Sequence, residues 1–310
     1  MDARRCLVTG GAGFVGSWWV RHLLAAGHRV TVLDNFITGQ RMNVPREVRL
    51  VEGDVTDTIL VDRWIRRADT VFHMASLGSR YTAHDPLTGL TGNVLGSLST
   101  VAACAYHNKE LVLVSSAGVY GRAAGGPVRE HDEVRLPNPV TGPWLYSLAK
   151  LFDESLVQAW RTEVDLKVKI VRLFSCIGPR QARAYQRIVP RLVLAALQGK
   201  PLKIPGDGND RLSFIFIKDA VAGIDLVWRR GAVGEPYNLG GTEEITIRSL
   251  AERILQLTGS RSPIRLLKTE QPPPYPPAPD MSRLAGLGYR PRYSLDDALR
   301  AIIAYYRGAR

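Results

Sequence analysis

The stretch Leu7–Val20, "LVTGGAGFVGSWWV", sets four glycines between an apolar run and a segment that reads as a helix. Each glycine inside regular structure costs roughly 0.5–1 kcal/mol, so their presence asks for a backbone reason. Gly10, Gly13 and Gly16 stand at G-x-x-G-x-x-G spacing, and Gly11, Gly13 and Gly16 also satisfy G-x-G-x-x-G. Between a strand and a helix, such glycines permit a tight turn, let the backbone approach a pyrophosphate and bring the helix close to the sheet. Asp34 supports this reading: it closes the run "VTVLDN", 24 residues after Gly10. A carboxylate there accepts from both hydroxyls of an adenosine ribose and repels a 2′-phosphate, so NAD is expected rather than NADP. Asp54, at the end of the third apolar run in "EGDVTD", is placed to reach the adenine amino group.

Outward from this turn, short Val- and Leu-rich runs alternate with helix-like segments: "RCLVTG", "RVTVLD", "VRLVEGDV", "DTVFHMAS", a long helix over about 85–108, and "ELVLVSSAGVYG". Runs without polar alternation are expected of parallel strands covered on both faces. The pattern predicts an α/β fold, a doubly wound parallel sheet of Rossmann type with ligands at the carboxyl ends of its strands. Residues 1–178 are expected to form the dinucleotide-binding domain. Residues 179–310 are expected to form a smaller, interleaved substrate region, with about 213–240 returning to the main sheet. In that second part a helix is expected near 189–198, a strand at "LSFIFI" and a terminal helix through "SLDDALRAIIAYY"; "QPPPYPPAPD" reads as a rigid surface connection.

The 310 residues carry 45% hydrophobic and 23% charged residues, a globular composition with ample core for such a fold. No run approaches the roughly 18 apolar residues of a membrane helix, and "MDARRC" leads straight into the first strand, so a cytoplasmic protein is expected. Cys6, Cys104 and Cys176 have neither disulfide-framework nor metal-ligand spacing, and no metal is expected. The net charge of +12 is scattered, without a basic run or interleaved aromatics, and favours an anionic small ligand or a solvated surface over nucleic acid.

Tyr146 and Lys150 in "WLYSLAK" lie four residues apart, one above the other on a helix. An ammonium beside a phenol favours the phenolate, the form that serves as a general base. Ser116 in "VSSAGVYG" falls at the carboxyl end of the preceding strand, where its hydroxyl can bridge a substrate hydroxyl and the tyrosine.

With these residues in this chain order, the sequence resembles the extended short-chain dehydrogenase/reductase family, specifically its sugar-nucleotide epimerases, dehydratases and decarboxylases. The resemblance runs through "TGGAGFVG", "GDVTD", "VFHMAS", "SSAGVYG", Tyr146 and Lys150, "IGPRQ", "YNLGG" and "LGYRP". It implies that Ser116, Tyr146 and Lys150 are catalytic, that Lys150 also binds the nicotinamide ribose, and that Asn93 shapes the cofactor region. The expected cofactor set is Gly10, Gly13, Phe14, Val15, Gly16, Asp34, Asn35, Asp54, Val55, Met74, Ala75, Ser76, Asn93, Tyr146 and Lys150. It further implies oxidation at C4 of a sugar, Tyr146 taking the hydroxyl proton and NAD the hydride, and a homodimer.

The branches of the family differ in the fate of the 4-keto intermediate. Dehydratases of the family resemble "TDEVYG" and uronate decarboxylases "TSEVYG"; here Ala117 and Gly118 replace the acidic position. Return of hydride to the opposite face, giving a C4 epimer of a nucleotide sugar, is therefore the expectation. The alternatives are a dehydratase, decarboxylase or dehydrogenase/ketoreductase of the same family, or, in another class, a non-catalytic dinucleotide-bound scaffold or nucleic-acid-binding protein. The substrate half departs from the family at Ser175, Pro205, Leu212 and the residues before Asp280. Ser116, Ser175, Arg187 and Arg211 are the expected substrate contacts, Arg211 substituting for an arginine at Leu212. Arg180, Arg183, Arg187 and Arg191 form either a second anion clamp or a solvated basic face. Cys176, His73, Trp18 and Trp19 read as packing or strand-end residues, and His84 as either a loop residue or part of the site's lining.

Overall fold

The computed structural model describes residues 2–122, 126–137, 140–142, 144–181, 187–268 and 278–308. The first part runs β1 (Arg5–Thr9), α1 (Phe14–Ala25), β2 (Arg29–Asp34), β3 (Arg49–Glu52), α2 (Thr58–Ile65), β4 (Thr70–His73), α3 (Ser79–His84), α4 (Pro86–Tyr106), β5 (Glu110–Ser116), α5 (Trp144–Val164) and β6 (Val168–Leu173). The second runs β7 (Cys176–Ile177), α6 (Ile188–Leu197), β8 (Leu202–Pro205), β9 (Arg211–Ser213), β10 (Ile215–Phe216), α7 (Ile217–Arg230), β11 (Pro236–Leu239), β12 (Glu244–Thr246), α8 (Ile247–Thr258), β13 (Ile264–Leu267), α9 (Ser282–Gly286) and α10 (Leu295–Gly308).

Seven strands form the main sheet in the order β11-β6-β5-β4-β1-β2-β3, all neighbours parallel. Alternate strand residues point to opposite faces, and β1 supplies both cores. Cys6 and Val8 pack into one cluster with Val20 and Leu23 of α1 and Val227 and Trp228 of α7. Leu7 packs into the other with Val61 of α2, Val101 of α4 and Val157 of α5. Burying a Leu or Val side chain contributes about 1.5–3 kcal/mol, so a strand buried on both faces selects the unbroken apolar runs of the sequence. Because β1 pairs with β2 on one side and β4 on the other, the chain leaves it in both directions and opens a crevice at its carboxyl end.

The long helix α4 starts at Pro86, with Asp85 as its cap: the Asp85 carboxylate accepts from Thr88 N–H at 3.2 Å. In the second part, α7 lies against α1 and β11 enters the main sheet beside β6. The expected single strand at 212–217 is instead two. β9 pairs antiparallel with β12, β10 pairs parallel with β7, and α7 begins at Ile217. The chain changes sheets at Phe214, where Gly241 comes close; a Cβ on Gly241 would lie 2.2 Å from the Phe214 carbonyl oxygen. β8 and β13 form a third small pair. Of the proline-rich segment, Ala278–Asp280 is tied to Val128 by backbone hydrogen bonds of 3.1 and 2.8 Å; residues 271–277 lie outside the described residues. No helix among the described residues is long and apolar enough to cross a membrane.

Candidate active site

The crevice beyond β1 holds two connected cavities that share Gly10, Gly13, Thr38, Met74 and Ser76. The turn that borders both is built largely by backbone. Gly10 has φ +71° and donates to Leu33 O at 2.9 Å; its left-handed conformation carries the chain from β1 into the turn. A Cβ on Gly16 would lie 2.2 Å from Gly10 O, whereas Gly13 would meet only that oxygen, at 3.1 Å. Gly13 caps α1 in an extended conformation without a side-chain cap, so the first-turn amides of Phe14, Val15 and Gly16 have no intrahelical acceptor and face an anion site.

Asp34 is pinned at the edge of this turn, accepting from Ala12 N–H and Phe36 N–H at 2.9 Å each. Burial pushes its carboxyl up and these two amides oppose that; each oxygen keeps a lone pair for a ribose hydroxyl. Asn35 donates to Asp54 at 2.6 Å, and Thr56 donates to the same carboxylate from its N–H and its hydroxyl at 2.8 Å each. Burial works against ionisation of Asp54, but those hydrogen bonds hold it below the ordinary carboxylate value. Val55, Ala75 and Asn93 line the smaller cavity. Asn93 accepts from Leu77 N–H at 2.7 Å and donates to Leu77 O at 2.9 Å, fixing the loop after β4. Uncapped amides, glycines without room for a side chain and a pinned carboxylate fit an adenine dinucleotide.

Ser116, Tyr146 and Lys150 line the larger cavity together, as do Phe14, Val15, Gly16 and Ser175. Ser116 ends β5, and its Oγ accepts from Gly118 N–H at 3.1 Å, leaving its proton to donate. A buried network holds this strand end: Arg172 donates to Glu154 at 2.7 and 3.0 Å and to Tyr120 Oη at 2.9 Å, Ser115 donates to Glu154 at 2.6 Å, and Tyr120 donates to Asn238 at 2.6 Å. Lys150 is buried and donates to Val114 O at 3.3 Å and to Asp153 Oδ2 at 3.0 Å. Burial alone would lower its pKa; the charges of Asp153 and Tyr146 raise it above the ordinary value instead.

At the far end, Arg180 and Arg187 line the cavity and Arg191 does not. Arg187 caps α6, one turn before Arg191; Arg183 lies outside the described residues. Arg180 has φ +73°, stacks over the Trp18 ring at 5.0 Å and keeps its Nη1 buried without a hydrogen-bond partner. Arg211 sits elsewhere: it is exposed, pairs with Glu244 at 3.1 Å and is not in the cavity wall. In the β9–β12 pairing Arg211 stands opposite Thr246 and Ser213 opposite Glu244; Arg211 and Ser213 share a face of β9, and of the two only Ser213 reaches the cavity wall. Pro205 pairs with β13, and Leu212 with β12.

Thr38, Gln40, Asn43, Arg80, Tyr81 and Gln181 also line the larger cavity and were not expected from the sequence; Arg80 and Tyr81 lie on the six-residue α3, too short for a periodic signal, and the others on connecting segments. Trp18, expected to be a packing residue, also carries Arg180 and donates to Pro179 O at 3.2 Å. His73 sits buried between Thr9 at 2.9 Å and Ser97 at 3.1 Å. His84 is exposed on α3 and Trp19 is fully buried. All three cysteines are buried free thiols, with Cys176 bordering the cavity, and the described residues contain no cluster of three metal-ligating side chains.

Comparison with known proteins supplies the family. The profile of the NAD dependent epimerase/dehydratase family matches residues 6–240. The chain belongs to the NAD-dependent epimerase/dehydratase family. Its cofactor is accordingly NAD, in agreement with the uncapped α1 terminus and Asp34. Among relatives in the family, UDP-glucuronic acid decarboxylase 1 of Xenopus tropicalis is 32% identical over 313 residues, 99% of this chain and 73% of that one. UDP-N-acetyl-alpha-D-glucosaminuronate decarboxylase of Bacillus cytotoxicus is 30% identical over 317 residues, 98% of each chain. Among solved structures, the UDP-glucose 4-epimerase of Thermus thermophilus in complex with NAD superposes with a TM-score of 0.87 at 28% identity, covering 98% of this chain and 99% of that one.

Proposed function

We propose that this chain acts on a nucleotide-linked sugar uronate: oxidation at C4, loss of carbon dioxide and return of hydride to C4. The charge pattern of the larger cavity carries this reading. Lys150, Arg80, Arg180 and Arg187 line it, and no carboxylate does among the described residues. A buried guanidinium N–H with no acceptor costs about 1–3 kcal/mol, a cost relieved when an anionic ligand supplies the acceptor. The relatives that act on UDP-linked uronates support this choice over the C4 epimerase expected from the residues at 117 and 118.

When bound, NAD supplies the acceptor for the C4 hydride and its donor on return. Tyr146 takes the C4 hydroxyl proton, Ser116 donates to the same oxygen and orients it, and Lys150 stabilises the phenolate that begins the step. The sugar is then a β-keto acid. Its C5–carboxylate bond breaks with the electron pair moving toward the C4 oxygen, where the protonated Tyr146 and Ser116 donate hydrogen bonds; carbon dioxide leaves and C5 takes a proton from water. This step asks for no acid at Ala117 or Gly118, whereas eliminating water does. Epimerisation of a neutral sugar is the second reading, favoured by that same missing acid and by the likeness to the Thermus epimerase.

The deciding experiment is an NMR time course with added NAD and UDP-glucuronate, UDP-N-acetylglucosaminuronate and UDP-glucose. A pentose product from a uronate, with bicarbonate and no accumulating NADH, is expected. A C4 epimer that retains its carboxylate would replace this reading with epimerisation. The proposal includes a homodimer, supported by Leu87, Leu95 and Leu98 of α4, 42–75% exposed on one helix, and by the exposed Leu148 of α5, which packs against α4.

A further inference from the structure

Two carboxylates follow Lys150 within the next turn and a half of α5, and they are used differently. Glu154 is paired with Arg172 and accepts from Ser115. Asp153, fully buried, has no arginine; its Oδ2 takes the Lys150 ammonium at 3.0 Å. Burial pushes the Asp153 carboxyl up and the Lys150 ammonium opposes that, while the charge of Glu154 also reaches Lys150 and acts in the same sense as Asp153. Val114 of β5 offers a carbonyl at 3.3 Å. His73 of β4 is pressed down to about 3 by burial and stays neutral, and it hydrogen-bonds Ser97 of α4, which stands beside Asp153. The remaining titratable neighbour is Tyr146, one turn back on α5. Lys150 thus lies between one carboxylate and the phenol it is to activate.

We propose that Asp153 is a positioning residue: it fixes Nζ of Lys150 against Val114 and cancels part of the lysine's charge at Tyr146, so that Tyr146 ionises at a higher pH than Lys150 alone would set. The inference rests on the C4-oxidation reading for its meaning, but its physical content does not. A negative charge held beside the ammonium weakens the field that favours phenolate. The site then keeps more of its tyrosine protonated at neutral pH, the state required when the keto oxygen must be held and hydride returned.

Asp153→Asn keeps the shape and the acceptor for Lys150 while removing the charge. Tyr146 ionisation is read without substrate, from phenolate ultraviolet absorbance against pH, as the difference between each protein and the same protein carrying Tyr146→Phe; this isolates one of 11 tyrosines. In Asp153→Asn the phenolate is expected to form about one pH unit lower than in the parent protein. An unchanged or higher midpoint overturns the proposal, and a lowered Tm with an unchanged midpoint assigns Asp153 to packing alone. Should Asp153→Asn fail to fold, Asp153→Ala, smaller and equally uncharged, is read in the same way. Failure of the C4-oxidation reading is seen separately, as full turnover of UDP-glucuronate by Tyr146→Phe.

Discussion

The two cavities of the crevice are made by different means. The nucleotide end is built largely from backbone: Gly10 and Gly13, which border both cavities, the uncapped amides of α1, which open into the larger one, and Asp34 of the smaller one, clamped by two N–H groups. The other end of the larger cavity is built from side chains, with Arg180 and Arg187 reaching in from the segments after β6 and Ser116, Tyr146 and Lys150 from β5 and α5. A backbone site tolerates almost no substitution and serves one ligand. A side-chain site is retuned by single replacements, which is how one fold serves several reactions on related sugars.

The sharpest way to break this contrast is to add one methyl group to the backbone site. Gly16→Ala would set a Cβ 2.2 Å from Gly10 O, so NAD binding by calorimetry is expected to be lost and the Tm lowered; normal NAD affinity would show that the turn is not rigid. On the substrate side, Arg187→Ala is expected to raise KM for the uronate about ten- to hundredfold with kcat changed less than about threefold, the loss of one charge-assisted contact. An equal effect on a neutral sugar would mean that Arg187 does not meet the carboxylate. The smallest change is expected from Arg211→Ala, whose partner is Glu244 outside the crevice: within about twofold in KM, since an exposed ion pair contributes little. A tenfold effect would return Arg211 to the site.

The nucleotide cavity was legible for the same reason that it is rigid. Steric demands on Gly10 and Gly16 and the position of Asp34 at a strand end are local, and local demands leave spacing in the sequence. The sheet was legible because strands buried on both faces need unbroken apolar runs. The substrate cavity was only partly so. Arg187 borders the cavity and Arg211 does not: Arg211 shares a face of β9 with Ser213 but stops short of the wall, and how far along a strand a cavity extends leaves no spacing in the sequence. The stacking of Arg180 on Trp18 joins residues 162 positions apart. Asp153 gave no signal because a charged pair three residues apart is ordinary on any helix surface; only burial of both partners distinguishes it. The missing acid at Ala117 and Gly118 pointed to an epimerase, but the cationic cavity and the decarboxylase relatives support loss of carbon dioxide, which a β-keto acid undergoes without that acid.

In the proposed reaction hydride leaves C4 and returns to it, with a carboxylate lost between. UDP-glucuronate carrying deuterium at C4, turned over with NAD and followed by NMR, tests this most directly. The predicted product is a UDP-pentose with deuterium still at C4. Deuterium retained at C4 in an epimer that keeps its carboxylate, or a pentose with protium at C4, would contradict it.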